Sequence, residues 1–218
     1  MISRRFAKIG AALFGLALAL SGCSALGEGS LPYTDSNAHG SIGLCNKDGK
    51  SINHGNLNDI PFVWRAVSSS PAPPPYNGNG RTATLFAFLP WQGHSPELWP
   101  GNQLTVSDNY SNPAHPMVQA TASDGAQLKE FIQAFPPRLN GLIELRMYLG
   151  VPGEPTYKDT YPATDIQVKG DSWTVVRGGD VPCSGSVVGS RRLRRVSTSQ
   201  AAVHHGWQDD PIAALKRA

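Results

Sequence analysis

The residues best suited to chemistry lie in one proline-bounded stretch, Pro90-Trp91-Gln92-Gly93-His94-Ser95-Pro96-Glu97-Leu98-Trp99-Pro100. Indole faces take up apolar C–H surface while amide, imidazole and carboxylate groups bond hydroxyls. Trp91, Trp99, Gln92, His94 and Glu97 therefore have the makings of a platform for a sugar ring, which Tyr110 would extend. The competing reading is that each indole packs down on the rim of the domain, since tryptophan is usually buried for its area. His94, Glu97 and His115 are also the groups that a hydrolase of wall or carbohydrate material would have to bring into one cleft. His94 and Glu97 have a metal-like spacing, but Ser95-Pro96 prevents one helix face and no third ligand stands nearby, so neither metal nor cofactor is expected. The chain has no glycine-rich phosphate loop, nucleophile elbow or CxxC pair. The expectation is a binding protein and not an enzyme.

Arg4, Arg5 and Lys8 precede an apolar run from Ile9 to Leu20, which is followed by Leu20-Ser21-Gly22-Cys23. The run suits a secretory leader and is too short to span a bilayer. Small residues at Ser21 and Gly22 would give processing enzymes access to the backbone, and the Cys23 thiol is the group that would carry lipid. This stretch resembles the bacterial lipoprotein signal. The resemblance implies a signal peptide over residues 1–22, a mature chain lipidated at Cys23, and a domain held to the membrane outside the cytoplasm. Beyond this motif, the composition resembles small envelope lipoproteins of high-GC Gram-positive bacteria. Gly170-Asp171-Ser172 resembles the opening block of the GDSL-type hydrolases, but it sits in a hairpin turn near the end of the patterned region, where that family does not place it.

Loss of residues 1–22 removes three basic residues and leaves a formally neutral chain, so no global field argues for nucleic acid. The expected partners are the membrane, through Cys23, and a cell-wall polysaccharide or an envelope protein. In the second case the chain would be an accessory subunit docking through a sheet edge or its Pro-rich loop. With Cys23 reserved for lipid, Cys45 and Cys183 remain and bracket the patterned region, which predicts a disulfide between them.

Residues 23–40 are rich in Gly, Ser and Asn and read as a flexible tether. Residues 41–183 alternate short apolar or β-branched runs with Pro, Gly and Asn punctuation, and eight strands are expected: 41–45, 60–67, 82–89, 103–107, 117–121, 142–149, 164–168 and 172–177. Both faces of 82–89 are apolar enough for a central strand, whereas Glu144 and Arg146 alternate with Ile143, Leu145 and Met147 as in a half-solvated one. Asp124 and Gln127, ahead of Leu128, Phe131, Ile132 and Phe135, predict one short helix that Pro136-Pro137 ends. The expected fold is all-β, an immunoglobulin-like antiparallel β-sandwich with one short helix, in which Trp64 could pack on the disulfide. The Pro-rich connection 70–80 reads as an inter-strand loop with docking as its functional alternative. Residues 184–218 form a basic tail with Arg191, Arg192, Arg194 and Arg195, followed by His204-His205, for which disorder is the default.

Overall fold

The computed structural model describes residues 31–122 and 128–183. The expected signal peptide, Cys23, the capping residues Asp124 and Gln127, and the basic tail lie outside them. The elements are β1 (Ile42–Cys45), β2 (Ser51–Ile52), β3 (His54–Asn56), β4 (Arg65–Ser68), β5 (Thr82–Phe88), β6 (Gly101–Gln103), β7 (Asp108–Asn109), β8 (Met117–Gln119), α1 (Leu128–Ala134), β9 (Leu142–Gly150), β10 (Ala163–Lys169) and β11 (Ser172–Arg177). They make an all-β sandwich of two antiparallel sheets, one in the order β2-β1-β4-β8 and the other β3-β11-β10-β9-β5-β6, with β7 also paired to β5. No helix among the described residues is long and apolar enough to cross a membrane.

Alternation along each strand decides what lies between the sheets. Ile42 and Leu44 of β1, Ala66 of β4 and Val118 of β8 meet Ala83, Leu85 and Ala87 of β5, Ile143, Leu145 and Met147 of β9, and Ile166 of β10 in one buried core. The core indole is Trp173, 1% exposed and edge-on to Phe62, rather than Trp64, which carries the Lys47 ammonium over its ring. Cys45 faces the other way and is bonded to Cys183. Together with Val67, Val181 and Met117 the disulfide covers the outer face of the four-stranded sheet. It straps the segment after β11 across that face, unlike the bridge of an antibody domain, which runs through the core from sheet to sheet. Gly43 is required there, because a Cβ at this position would stand 2.2 Å from the Val181 carbonyl oxygen.

Two expectations are corrected. Packed chain begins ahead of Ser41: Asp35 is 6% exposed, His39 N–H donates to the Tyr161 carbonyl and Tyr161 N–H to the Asn37 carbonyl. What composition marked as tether is, from Tyr33 onward, a covering segment. Secondly, β9 is not half-solvated, since Glu144 is 0% and Arg146 1% exposed. The covering segment and the loop between β5 and β6 close over that face of the larger sheet.

Candidate functional site

The outer face of the larger sheet carries a row of charge fixed by strand register. Glu144 of β9 stands opposite Asp165 of β10, which stands opposite Arg177 of β11. Two carboxylates directly opposed would repel, and Arg177 resolves this by donating from Nη2 to Glu144 at 3.0 Å and from Nε to Asp165. Arg146, on the same face of β9, donates from Nε to Glu144 at 2.7 Å and from Nη1 to the Pro96 carbonyl at 3.1 Å. Its guanidinium lies 4.0 Å from the Phe88 ring centre, 4.7 Å from Tyr161 and 5.0 Å from Trp99. Delocalised charge and a flat shape let arginine fill such an aromatic box where lysine would not.

The covering segment completes the cluster. Tyr33 donates its hydroxyl to Asp165, and Asp35 accepts from the Tyr161 hydroxyl at 2.7 Å and lies 3.2 Å from Arg146 Nη2. Three carboxyls, Asp35, Glu144 and Asp165, thus share the two guanidinium groups of Arg146 and Arg177. Burial pushes Glu144 up to about 8, helped by its hydrogen bond with Asp35 and opposed by Arg146. Burial also pushes Asp35 up, but bonds from Glu144, Tyr161 and the Asn37 backbone outweigh it and hold Asp35 below the usual range. The two carboxyls are thus coupled and shifted in opposite directions, Glu144 upward mainly by burial and Asp35 downward by its hydrogen bonds. Desolvation, then the charge and hydrogen bond of Asp165, hold the Tyr33 phenol un-ionised.

Beside this cluster is a cleft of about 420 Å³ walled by Phe88, Tyr148 and Tyr161, with Arg146 at its floor and Asn37, Glu97, Lys158 and Asp159 on its rim. Phe86 extends the aromatic wall, its ring centre 5.0 Å from that of Tyr148. The 3.2 Å contact of Arg146 Nη2 with Asp35 is an ion pair without hydrogen-bond alignment, and Nη2 is buried, so Arg146 acts on the cleft through its charge. Glu97 accepts from the Asn37 side chain at 2.6 Å. Its own backbone N–H, then Ser95 and Asn37, hold its carboxyl below the usual range and keep it a charged acceptor. Flat apolar walls with converging donors and acceptors suit a polyhydroxylated ligand. Asp35, on the inner side of the covering segment, and Glu144 beneath it are buried and are not among the residues that line the cleft.

The loop singled out from the sequence is divided by the structure. Glu97 joins the cleft rim, while Trp91 is 40% exposed and stacks on His94 at 3.7 Å. Gln92 and His94 are exposed. Trp99 is 4% exposed, edge-on to Tyr33, and donates from Nε1 to the His94 carbonyl; Tyr110 is 3% exposed and bonds the Tyr76 carbonyl. Both are buried, and the inward-packing reading of the two indoles describes Trp99 but not Trp91. His115 sits beside the four-stranded sheet and contacts the Ser68 carbonyl at 3.2 Å, apart from the loop that bears His94 and Glu97. Sequence reasoning missed Phe88, Arg146, Tyr148, Lys158, Asp159 and Tyr161. The available signal was an arginine two residues from a glutamate inside an otherwise apolar strand. None of the protein families compared with the chain matches it, and no curated protein or solved structure does so.

Proposed function

We propose that the protein is an exported, lipid-anchored, non-enzymatic binding module of the cell envelope, recognising a saccharide unit of wall material through the cleft above Arg146. The observation that carries this reading is the aromatic wall of Phe88, Tyr148 and Tyr161 facing the polar rim of Asn37, Glu97, Lys158 and Asp159. The volume of about 420 Å³ suits one or two sugar rings. The Leu20-Ser21-Gly22-Cys23 motif supports the anchor, and the Cys45–Cys183 disulfide is compatible with an oxidising compartment.

The test is co-sedimentation of the whole protein with purified cell wall, alongside Glu97→Gln/Lys158→Ala and Phe88→Ala variants shown to melt like wild type. Aromatic stacking and each rim hydrogen bond contribute on the order of 1 kcal/mol, so either variant is expected to weaken binding by roughly five- to tenfold. Undiminished binding by both variants would remove the cleft from the function.

A further inference from the structure

A second concavity, of about 220 Å³, opens between the β5–β6 loop and the end of α1, walled by Leu89, Pro90, Trp91, Pro100, Phe135 and Pro136, with Arg138 at its edge. It differs from the cleft over Arg146 in its side chains, which are apolar except for Arg138, and in the exposure of its two aromatic rings. Trp91 is 40% and Phe135 55% exposed, and Leu98, in the same loop, is 64% exposed. Large apolar side chains so placed lose free energy by staying in water unless something covers them.

The path of the chain points to the cover. Tyr33, where the covering segment joins the fold, packs edge-on against Trp99 at 5.1 Å. Trp99 Nε1 donates to the His94 carbonyl at 3.2 Å, and the His94 ring lies on Trp91 at 3.7 Å. The N-terminal segment therefore meets the domain at the loop that bears Trp91. Cys23 precedes Tyr33 by ten residues, a length of chain that reaches at most about 36 Å when fully extended. A lipid on Cys23 would hold the side of the domain that bears this loop within about that distance of the bilayer. Tryptophan and phenylalanine beside an arginine are the residue types that seat at the headgroup boundary, the rings among the upper acyl carbons and the guanidinium against phosphate.

We propose that the Trp91–Phe135 groove is a membrane-contacting edge, inserting Trp91 and Phe135 into the interface of the bilayer that bears the Cys23 anchor. The proposal rests on the lipid-anchor reading for its geometry. A soluble protein partner is the other occupant that such a groove could take.

The experiment uses vesicles of phosphatidylcholine and phosphatidylglycerol with brominated acyl chains, and two full-length forms: protein extracted from membranes, and Cys23→Ala. Mass spectrometry of the extracted protein reads lipidation separately. Tryptophan emission of the vesicle-bound protein is expected to be quenched, with the quenched component missing from Trp91→Phe. Binding of Cys23→Ala is expected to fall roughly tenfold in Trp91→Ala/Phe135→Ser, the burial of two exposed rings being lost. Both positions are exposed, and matching melting curves show that the variants fold. If the lipidated protein sits on vesicles with Trp91 unquenched, the membrane edge is overturned and a protein partner becomes the occupant. If mass spectrometry finds no lipid, the anchor reading fails by itself. In that case Cys23→Ala binding that depends on Trp91 and Phe135 still upholds the edge, and failure to bind vesicles overturns it.

Discussion

Arg146 holds together two carboxyls, three aromatic rings and a carbonyl that otherwise have no reason to meet. Arg146→Ala would leave buried carboxyls uncompensated and open the aromatic box, and is expected to cost about 3–5 kcal/mol by denaturant unfolding. Glu144 makes the fold depend on pH in an unusual direction for a carboxyl. With its folded value raised to about 8, the native state binds a proton more tightly than the unfolded chain does. Stability is then full below the ordinary glutamate range and declines as pH rises toward 8, whereas a carboxylate with a lowered folded value gains its contribution at acid pH and is level over this interval. Asp165, also raised by burial ahead of the opposing effect of Arg177, acts in the same sense. Melting temperature should therefore fall between pH 5 and pH 8.5 by an amount equivalent to a few kcal/mol. Glu144→Gln, which keeps the shape of the protonated acid, should flatten that slope. A slope unchanged by this substitution would mean that the proton is held elsewhere.

At the scale of elements, β1 is gripped on both faces, by the core through Ile42 and Leu44 and by the Val181–Cys183 segment over Gly43 and Cys45. Gly43→Ala should destabilise the domain by about 1–3 kcal/mol through overpacking. Replacing both Cys45 and Cys183 with serine should cost about 2–5 kcal/mol, because the bond closes a loop with a separation of 138 residues. Calorimetry of the two variants separates these effects. The long strands were legible because their alternation is long: β5, β9, β10 and β11 lie within a residue or two of where the pattern puts them. Of the short ones, β1 and β8 fall inside expected strands and β4 overlaps the end of one, whereas β2, β3 and β7 match none. His54-Gly55-Asn56 lies outside every expected strand, yet it is β3, and its glycine lets the Trp173 indole lie against the backbone, where a Cβ would stand 2.6 Å from the ring. The helix was legible from Leu128 and Phe131, which face inward, but Phe135 continues the same period and lies outside, at the groove. The candidate site was legible only at Glu97. Its other members come from β5, β9, the β9–β10 connection and the covering segment, whose meeting depends on sheet order that no local pattern encodes. Alternation misled at Glu144 and Arg146 because it tells which residues share a face and not whether that face is wet.

For the molecule as a whole, the covering segment links the outer face of the larger sheet to whatever precedes Leu31. It contributes Asn37 to the cleft rim and Asp35 to the buried cluster, so opening this segment would dismantle one wall of the cleft while leaving the core between the sheets in place. Asp35→Asn should therefore weaken wall binding more than it lowers the melting temperature, a split measurable by comparing co-sedimentation with calorimetry of the same variant. The disulfide has a mechanical consequence. A pull applied between the N-terminal side of the domain and the chain beyond Cys183 runs from Leu44 through Cys45 and directly to Cys183, bypassing all that lies between them in sequence. Under load, residues 46–182 are shielded, and among the described residues only those ahead of Cys45 can pay out length, the covering segment peeling first from the charged face of the sheet. An anchored molecule built this way would yield first at its own latch, lengthening its leash by a fixed amount while the sandwich beyond stays folded.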